Sequence, residues 1–520
     1  MIKRFADIYI GSNRCTFIAG QRGSKGSINI LDRITQSTNL GRQSFGNGEI
    51  SFGAIARLCK ILNDFISVAQ SYGIEEIEIF GTAALREAKN KRFILEQIRM
   101  RTGGYSVRML EHGEETEMIF KHALFSCDEG LRTRILEKNG ILMTIANSHI
   151  STALVRDGLI NYFKTEEIGY LKIKEMVETI ESRTQYVDHL LSDFIDLNIE
   201  RTLHVANKTQ NEFLLVSTHD AKIISQLAKG ENRAGIFKIL KSQLNTLLDH
   251  LIDLSANQVQ KKYPQISASD ADTLRHTLMI CKKYLEALNL QCIYMVQMDL
   301  ALAAIEFKFN KVKEKSLNVW IEDSAYTCVQ KVAQKYRVDG QHIKAVEKYA
   351  LKIYNGLKKS YSLSQREKFL LQYATQLIDI GRYIGNHSPI PCNKIIVDHE
   401  GLIGLTETER TMVGIIADGV RNNLITFDLS TLESYGLCDD DELSVAYLIA
   451  ILKLATALDK SHRQKINKIS CRTENNLFIV NAYSSDNIQL EAYYFELLGE
   501  AIEQVFGLKP VLQIKRSSVL

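Results

Sequence analysis

The sequence predicts an α/β chain built from two similar halves, followed by an all-α region and a small α/β domain. Three observations lead to this prediction. The order strand, polar turn, strand, strand, helix, strand begins near residue 5 and again near residue 141. From about residue 316 the apolar residues follow helical spacing, and strand-like alternation returns after residue 466. We therefore expect domains at 1–128, 129–310, 316–465 and 466–520.

Composition is that of an ordinary globular protein, with 520 residues, 45% of them hydrophobic and 24% charged. The 64 Lys and Arg nearly balance the 61 Asp and Glu, so we expect no nucleic-acid partner. Nine scattered cysteines without a CxxC pair indicate reduced thiols and a cytoplasmic protein. The first residues, MIKRFADIYIG, contain no long apolar run, so we expect no signal peptide. No run of about 18 apolar residues occurs, so we expect no membrane span.

The first half opens with two strands around the turn Gly11-Ser12-Asn13. Such a turn offers backbone N–H groups and a hydroxyl that can hold a phosphate oxygen. A helix with apolar residues at three- and four-residue spacing follows from Ile55 and ends at Gly73. Alternation and helical spacing predict the remaining elements of this half: strands at 5–10, 15–19, 28–34, 75–80 and 105–110, and helices at 83–101 and from Gly113.

The second half repeats the pattern, with the turn Asn147-Ser148-His149 between its first two strands. A helix is predicted over 172–194 and a strand over 201–206. Two copies of this order are the layout of duplicated actin-like domains (ASKHA, ribonuclease H-like), whose ligand lies between the halves with the two turns facing each other. Two unrelated α/β domains are the alternative.

The last two domains are read from periodicity alone. Several helices are predicted between 316 and 465 because apolar residues recur at helical spacing. Beyond them, alternation predicts strands over 468–484 and 488–495, then a helix over 496–506 and a last strand over 511–514. Together these form the small C-terminal α/β domain.

Four stretches resemble the exopolyphosphatase and guanosine pentaphosphate phosphatase (Ppx/GppA) family, in its long form: IGSN at 10–13, FGTAALREAKN at 80–90, EHGEETEMIFKHAL at 111–124 and IAILKLATALDKSHRQKI at 449–466. The resemblance implies an actin-like pair, an HD-like helical domain and a small C-terminal domain. It also implies hydrolysis of a terminal phosphoanhydride of polyphosphate or pppGpp with Mg²⁺, and a homodimer, since long members are often dimers.

Seven residues are candidates for this chemistry. The resemblance assigns water activation to Glu115. Arg86, near the start of a helix, can grip a phosphate through two N–H groups. The two turns supply the remaining phosphate-binding candidates, which are Gly11, Ser12, Asn13, Asn147 and Ser148. The alternative interpretation makes Arg86 a surface residue paired with an acid such as Glu87, and the glutamates a solvated first helical turn.

Several family acids are replaced in this sequence. Tyr9 stands where the family has the aspartate of its first loop, and Asp7 would place a carboxylate about 6–7 Å away. The second loop has Thr144 for aspartate and no glycines, and neither 206–209 nor 302–305 keeps the family motif. We therefore expect the metal-binding acids to be missing on both sides of the cleft. An active enzyme would need another way to hold Mg²⁺, for which Asn13, Asn147 and Ser148 offer only neutral oxygens, whereas Mg²⁺ sites normally include a carboxylate.

The helical domain also departs from the HD pattern. Ile378 stands where that pattern has histidine. Asp379 and His387 alone are too few to hold a metal, so we expect a structural role for this domain.

Two functions from different classes remain. One is a hydrolase of polyphosphate or pppGpp. The other is a catalytically inactive protein, a pseudoenzyme, that binds a polyanion, a guanosine nucleotide or a protein partner. A sugar-kinase-like or chaperone-like relative is a weaker third possibility, because a second loop without glycines is a poor ATP site. All of them require that the two turns, Arg86 and Glu115 lie around one groove.

Overall fold

The computed structural model describes residues 4–23, 28–173, 187–233, 235–252, 254, 256–264, 266, 268–309, 311–385, 392–420 and 436–516. The chain divides into two compact units, Met1–Ala325 and Tyr326–Leu520. They are called unit 1 and unit 2 below, and each is described by itself.

The first half of unit 1 is a five-stranded sheet with the order β3-β2-β1-β4-β5. Strands β1 to β3 pair antiparallel, whereas β1, β4 and β5 run parallel. The strands are β1 (Arg4–Ile10), β2 (Arg14–Arg22), β3 (Ile28–Ser37), β4 (Ile77–Gly81) and β5 (Val107–Met109). The helices are α1 (Leu40–Asn47), α2 (Phe52–Ser71), α3 (Ala83–Arg86), α4 (Lys91–Arg101), α5 (His112–Ser126) and α6 (Glu129–Glu137).

The helix predicted over 83–101 is two helices, α3 and α4. Asn90 lies between them, and its side chain bonds both the N–H and the C=O of Ile50, at 3.2 and 2.9 Å. This pairing ties the segment to the residues that precede α2. Asn90, held there by these tertiary bonds, has a backbone outside the helical region and forms the N-cap of α4, so the helix is not continuous.

The second half of unit 1 is a seven-stranded sheet with the order β10-β11-β12-β9-β6-β7-β8. Its strands are β6 (Gly140–Ile145), β7 (Ile150–Arg156), β8 (Leu159–Glu166), β9 (Phe213–Thr218), β10 (Glu231–Arg233), β11 (Ile236–Leu240) and β12 (Cys292–Gln297). Its helices are α7 (Val187–Ala206), α8 (Ala221–Ala228), α9 (Lys241–Ile252), α10 (Ala256–Lys262), α11 (Ala268–Ala287) and α12 (Leu300–Phe309).

The two sheets share one topology. The order β8-β7-β6-β9-β12 in the second sheet matches β3-β2-β1-β4-β5 in the first, with three antiparallel strands followed by parallel ones. Each first hairpin carries its polar turn at the equivalent end. The repeat seen in the sequence is therefore a repeat of structure, as the duplicated actin-like layout requires.

The strand predicted over 201–206 is wrong, because these residues end helix α7. Ile195, Ile199, Thr202 and Ala206 are buried at spacings of three and four, which is the helical period. The strand is β9, so the loop that reaches the cleft follows Thr218 and not Ala206. The predicted helix over 172–194 falls partly outside the described residues, which resume at 187.

Unit 2 is mostly helical, and the division between the units falls within α13 (Lys311–Lys335). Its further helices are α14 (Gly340–Leu357), α15 (Gln365–Leu377), α16 (Cys392–His399), α17 (Glu407–Gly419) and α18 (Asp439–Ala457), with a short 3-10 turn at Ile380–Tyr383. Among the described residues no helix is long and apolar enough to cross a bilayer.

The C-terminal part of unit 2 is a three-stranded sheet with one helix. Its strands, in the order β13-β14-β15, are Lys468–Glu474, Leu477–Ser484 and Lys509–Arg516, and the helix is α19 (Gln489–Phe506). The strand predicted over 488–495 is wrong, since it forms the first turns of α19. Glu491, Phe495 and Leu498 are buried at spacings of four and three, a helical pattern that the short alternation hid.

Candidate active site

Both polar turns line one cleft of about 190 Å³ between the two halves of unit 1. The first turn joins β1 to β2, and the second joins β6 to β7. Six of the seven candidate residues line this cleft: Gly11, Ser12, Asn13, Glu115, Asn147 and Ser148. Arg86 lies outside the cleft lining and meets the site through Glu115. The two turns and Glu115 therefore share one groove, as the sequence analysis required, whereas the expectation that Arg86 also lines it is wrong.

The first turn is held from behind by the segment that follows β3. The N–H of Gly41 donates to Ser12 O at 2.7 Å, and the N–H of Thr38 donates to Asn13 O at 2.8 Å. Within the turn, the N–H of Gly11 donates to Arg14 O at 2.8 Å. These bonds fix the backbone of the turn, while the side chains of Ser12 and Asn13 line the cleft.

The second turn is held in the same way by the segment that follows β8. The N–H of Leu171 donates to Asn147 O at 2.9 Å, and that of Gly169 donates to Ser148 O at 3.2 Å. The hydroxyl of Ser148 lies 2.9 Å from Nδ1 of His149, whose ring is buried and whose pKa burial lowers to about 3. His149 is therefore neutral at physiological pH and packs behind the turn.

Glu115 lies in the first turn of α5, where a capping box decides which glutamate faces inward. Glu114 bonds the backbone N–H of Glu111 and pairs with Arg108. The next residue in a helix points about 100° away, so Glu115 turns to the interior, where it is 6% exposed. Burial raises the pKa of Glu115 above its usual value, and Arg86 opposes that rise.

Arg86 is enclosed rather than open to the cleft. Its Nη1 lies 3.6 Å from Oε2 of Glu115 and also donates to the carbonyl of Leu110. Its Nη2 lies 3.0 Å from Nδ1 of His112. The pairing with Glu87 that the alternative interpretation proposed is not formed, since Glu87 pairs with Lys172 at 2.9 Å. Arg86 therefore pairs with the Glu115 carboxylate.

Tyr9 stands where the family has the aspartate of its first loop, and the sequence analysis assigned no role to this tyrosine. Its ring is buried and stacks on Phe80 with centroids 4.8 Å apart. Its hydroxyl is buried without a hydrogen-bond partner among the described residues, and Tyr9 lines the cleft. Burial raises the pKa of Tyr9, so the phenol keeps its proton and can donate it to a ligand oxygen.

Two ion pairs join the halves across the cleft, and sequence reasoning missed both. Arg14 on β2 places Nη2 3.2 Å from Oδ2 of Asp270 on α11. Arg33 on β3 pairs with Asp299, which also caps α12 through the N–H of Leu302. These partners lie more than 250 residues apart in sequence, so no local pattern could indicate them.

A magnesium ion held by this chain would have to displace an arginine from a carboxylate of the cleft. Mg²⁺ binds through one or two carboxylates that remain free to accept it. Glu115, Asp270 and Asp299, which line the cleft, each face an arginine instead. Within the described ranges, no group of three or more closely spaced His, Cys, Asp or Glu ligands lies in this cleft.

Comparison with known proteins places this site in a family. A family model described as Ppx/GppA phosphatase family matches residues 19–300, and one described as its domain III matches 326–494. The chain is 22% identical over 485 residues to guanosine-5'-triphosphate,3'-diphosphate pyrophosphatase of Aliivibrio fischeri, covering 90% of this chain and 88% of that protein. The protein of the same name from Vibrio campbellii is 23% identical over 488 residues, with coverages of 90% and 89%.

A solved structure agrees on the fold. The exopolyphosphatase of Cytophaga hutchinsonii superposes with a TM-score of 0.50 at 15% identity, covering 59% of this chain and 98% of that one. The family models together span both units of the chain. This chain therefore belongs to the Ppx/GppA phosphatase family.

Proposed function

We propose that this protein hydrolyses the terminal phosphoanhydride of inorganic polyphosphate or of pppGpp in the cleft of unit 1, with Glu115 as the general base. The observation that carries the proposal is a buried glutamate lining the same cleft as two polar turns. The names of the relatives support this substrate class. Glu115 accepts a proton from water as the water oxygen attacks the terminal phosphorus. The bond from that phosphorus to the bridging oxygen breaks, and its electron pair stays on this oxygen. The products are orthophosphate and the substrate shortened by one phosphate.

Neutral hydrogen-bond donors and two arginines bind the terminal phosphate. The neutral donors to its oxygens are the Tyr9 hydroxyl and the side chains of Ser12, Asn13, Asn147 and Ser148. Arg14 and Arg33 supply charge when a polyanion displaces Asp270 and Asp299 from them. Arg86 is then a positioning residue, which keeps the carboxylate of Glu115 ionised and oriented. No step uses a metal ion held by the chain.

Glu115→Gln is expected to reduce phosphate release from polyphosphate or pppGpp by about 10²- to 10⁴-fold, because the amide cannot accept the proton. Wild-type activity should also decline as the pH falls through the raised pKa of Glu115, since only the carboxylate acts as a base. Phosphate release by the purified protein, followed colorimetrically with each substrate, measures both effects.

Glu114→Gln is the matched control, because Glu114 caps α5 and pairs with Arg108 away from the cleft. It should retain wild-type activity. Equal rates in the wild type and in Glu115→Gln would contradict the assignment of the base.

Binding without turnover is the second candidate function. It is favoured by the arginine partner on each cleft carboxylate and by Tyr9 in place of an acid. In that case the wild type binds polyphosphate in calorimetric titration and releases no phosphate. Substrate-dependent phosphate release that is lost in Glu115→Gln excludes it.

Asp270→Asn is expected to tighten polyphosphate binding about two- to fivefold, because Arg14, itself more than half exposed, loses a carboxylate that competes for its charge. The gain should shrink at high salt, where exposed charges are screened. Titration calorimetry with a short polyphosphate at two salt concentrations measures it. Asp249→Asn removes the same charge from an exposed position on α9 and should leave the affinity unchanged.

A further inference from the structure

Unit 2 holds a cluster of two histidines and an aspartate, separate from the site described above. One potential ligand atom from each of His342, Asp379 and His462 lies within 4.8 Å of the others. His342 is near the start of α14, Asp379 follows α15, and His462 follows α18. Three distant parts of unit 2 therefore converge on one point.

Each histidine of the cluster has a carboxylate behind it. Nδ1 of His342 lies 2.9 Å from Oδ2 of Asp459, a fully buried carboxylate that Gln464 also holds through its N–H and side-chain amide. Nδ1 of His462 lies 3.5 Å from Oδ2 of Asp339. Metal-binding histidines characteristically give one ring nitrogen to a carboxylate, which leaves Nε2 for the metal.

The backbone around His462 is held in an uncommon conformation. His462 and Gln464 have φ of 56° and 48°, in the left-handed region that residues other than glycine rarely adopt. Such residues concentrate where surrounding structure fixes a binding site. The His462 ring stacks on that of His342, with centroids 3.6 Å apart and planes at 9°.

We propose that unit 2 binds a divalent transition-metal ion of the Zn²⁺ class through Nε2 of His342, Nε2 of His462 and the carboxylate of Asp379. Imidazole ligands select this class, which also includes Co²⁺, over Mg²⁺ and Ca²⁺, which take oxygen ligands. Three protein ligands leave at least one coordination position for water or another small ligand.

Two local changes accompany binding. Nε of Arg382 lies 3.0 Å from Oδ1 of Asp379, so the metal must replace this cation. The Arg382 side chain is about half exposed and can move into solvent. An imidazole nitrogen binds a metal ion that lies in the plane of its ring. Two stacked parallel rings cannot both do this for one ion, so the ring of His462, the more exposed of the two, must tilt. The sequence analysis expected no metal centre because it considered only Asp379 and His387, and His387 lies outside the described residues.

Titration of the full-length, chelator-treated protein with Co²⁺ and Zn²⁺ tests the proposal. One equivalent of Co²⁺ should bind with visible d–d bands and without the near-ultraviolet band of a thiolate ligand. Zn²⁺ should displace it and raise the melting temperature. His462→Gln and Asp379→Asn should each weaken Zn²⁺ binding at least about tenfold, whereas Arg382→Gln should tighten it by freeing Asp379.

His399→Gln is the matched control, since His399 is an exposed histidine of unit 2 outside the cluster, and it should bind like the wild type. Melting curves of the metal-free variants establish that each is folded. Unchanged binding in both His462→Gln and Asp379→Asn overturns the proposal, as does absence of stoichiometric binding to the wild type. If the ligand variants do not fold, Arg382→Gln decides: an affinity no higher than that of the wild type rejects the site.

Discussion

Replacing Arg86 with alanine is expected to lower the free energy of unfolding of unit 1 by about 3–5 kcal/mol at neutral pH, the usual cost of removing one partner of a buried ion pair. Both side chains of the pair are about nine-tenths buried. The variant leaves the carboxylate of Glu115 buried without its cation, and the carbonyl of Leu110 loses a donor as well.

The loss of stability caused by Arg86→Ala should depend on pH, and the raised pKa of Glu115 determines whether the loss grows or shrinks as the pH rises. A carboxyl whose folded pKa lies above its unfolded value contributes stability that is fully present below the unfolded pKa. This contribution is lost as the pH rises through the folded pKa. Since Arg86 lowers the pKa of Glu115, its removal raises that pKa further. Arg86→Ala should therefore be closest to the wild type in acid and furthest from it above neutrality.

Fluorescence of Trp320 provides a measurement specific to unit 1. It is the only tryptophan of the chain, and its indole N–H donates to Gly158 O at 2.7 Å. Denaturant titrations at pH 5 and pH 8 should show the smaller deficit at pH 5. The double variant Arg86→Ala/Glu115→Gln should be more stable than Arg86→Ala, because it no longer buries the Glu115 carboxylate without its cation. A deficit independent of pH, with no recovery in the double variant, would mean that Glu115 is not the partner that matters.

The polar turns were predictable because each is short, local and flanked by apolar alternation. The inward orientation of the Glu115 side chain was also predictable, because adjacent side chains in a helix point in different directions and Glu114 occupies the capping position. Local pattern failed at 201–206, where six residues alternate by chance within a helix. It also failed for 488–495, for the same reason.

Contacts between residues that are distant in the sequence could not be predicted from local sequence patterns. Arg14 and Asp270 come from different halves of unit 1, and His342 reaches Asp459 across 117 residues. Arg86 illustrates the same limit. A helix was predicted around it, although Arg86 is the last residue of the short α3. Only the tertiary structure showed that its guanidinium contacts Glu115, Leu110 and His112 and does not line the cleft. The resemblance identified residue types, whereas their partners depend on tertiary structure.

Gly169→Ala is expected to destabilise unit 1 by about 3 kcal/mol, at the upper end of the usual range for overpacking. A Cβ at Gly169 would lie 2.3 Å from the carbonyl carbon of Ser148 and 2.4 Å from the carbonyl oxygen of Asn147. These are backbone atoms, so no side-chain rotation can relieve the overlap. The segment after β8 must move away from the second turn and lose its hydrogen bonds to it.

The same displacement should weaken polyphosphate binding at least about tenfold, because the side chains of Asn147 and Ser148 no longer hold their places in the cleft. Gly130→Ala is the matched control: its Cβ would meet only Asp128 Oδ1, at 3.5 Å, and alanine favours helix α6. Trp320 fluorescence and titration calorimetry measure stability and binding in the two variants. If Gly169→Ala matches Gly130→Ala in both, the second turn does not depend on the close approach of Gly169, and the cleft must be held open by other contacts.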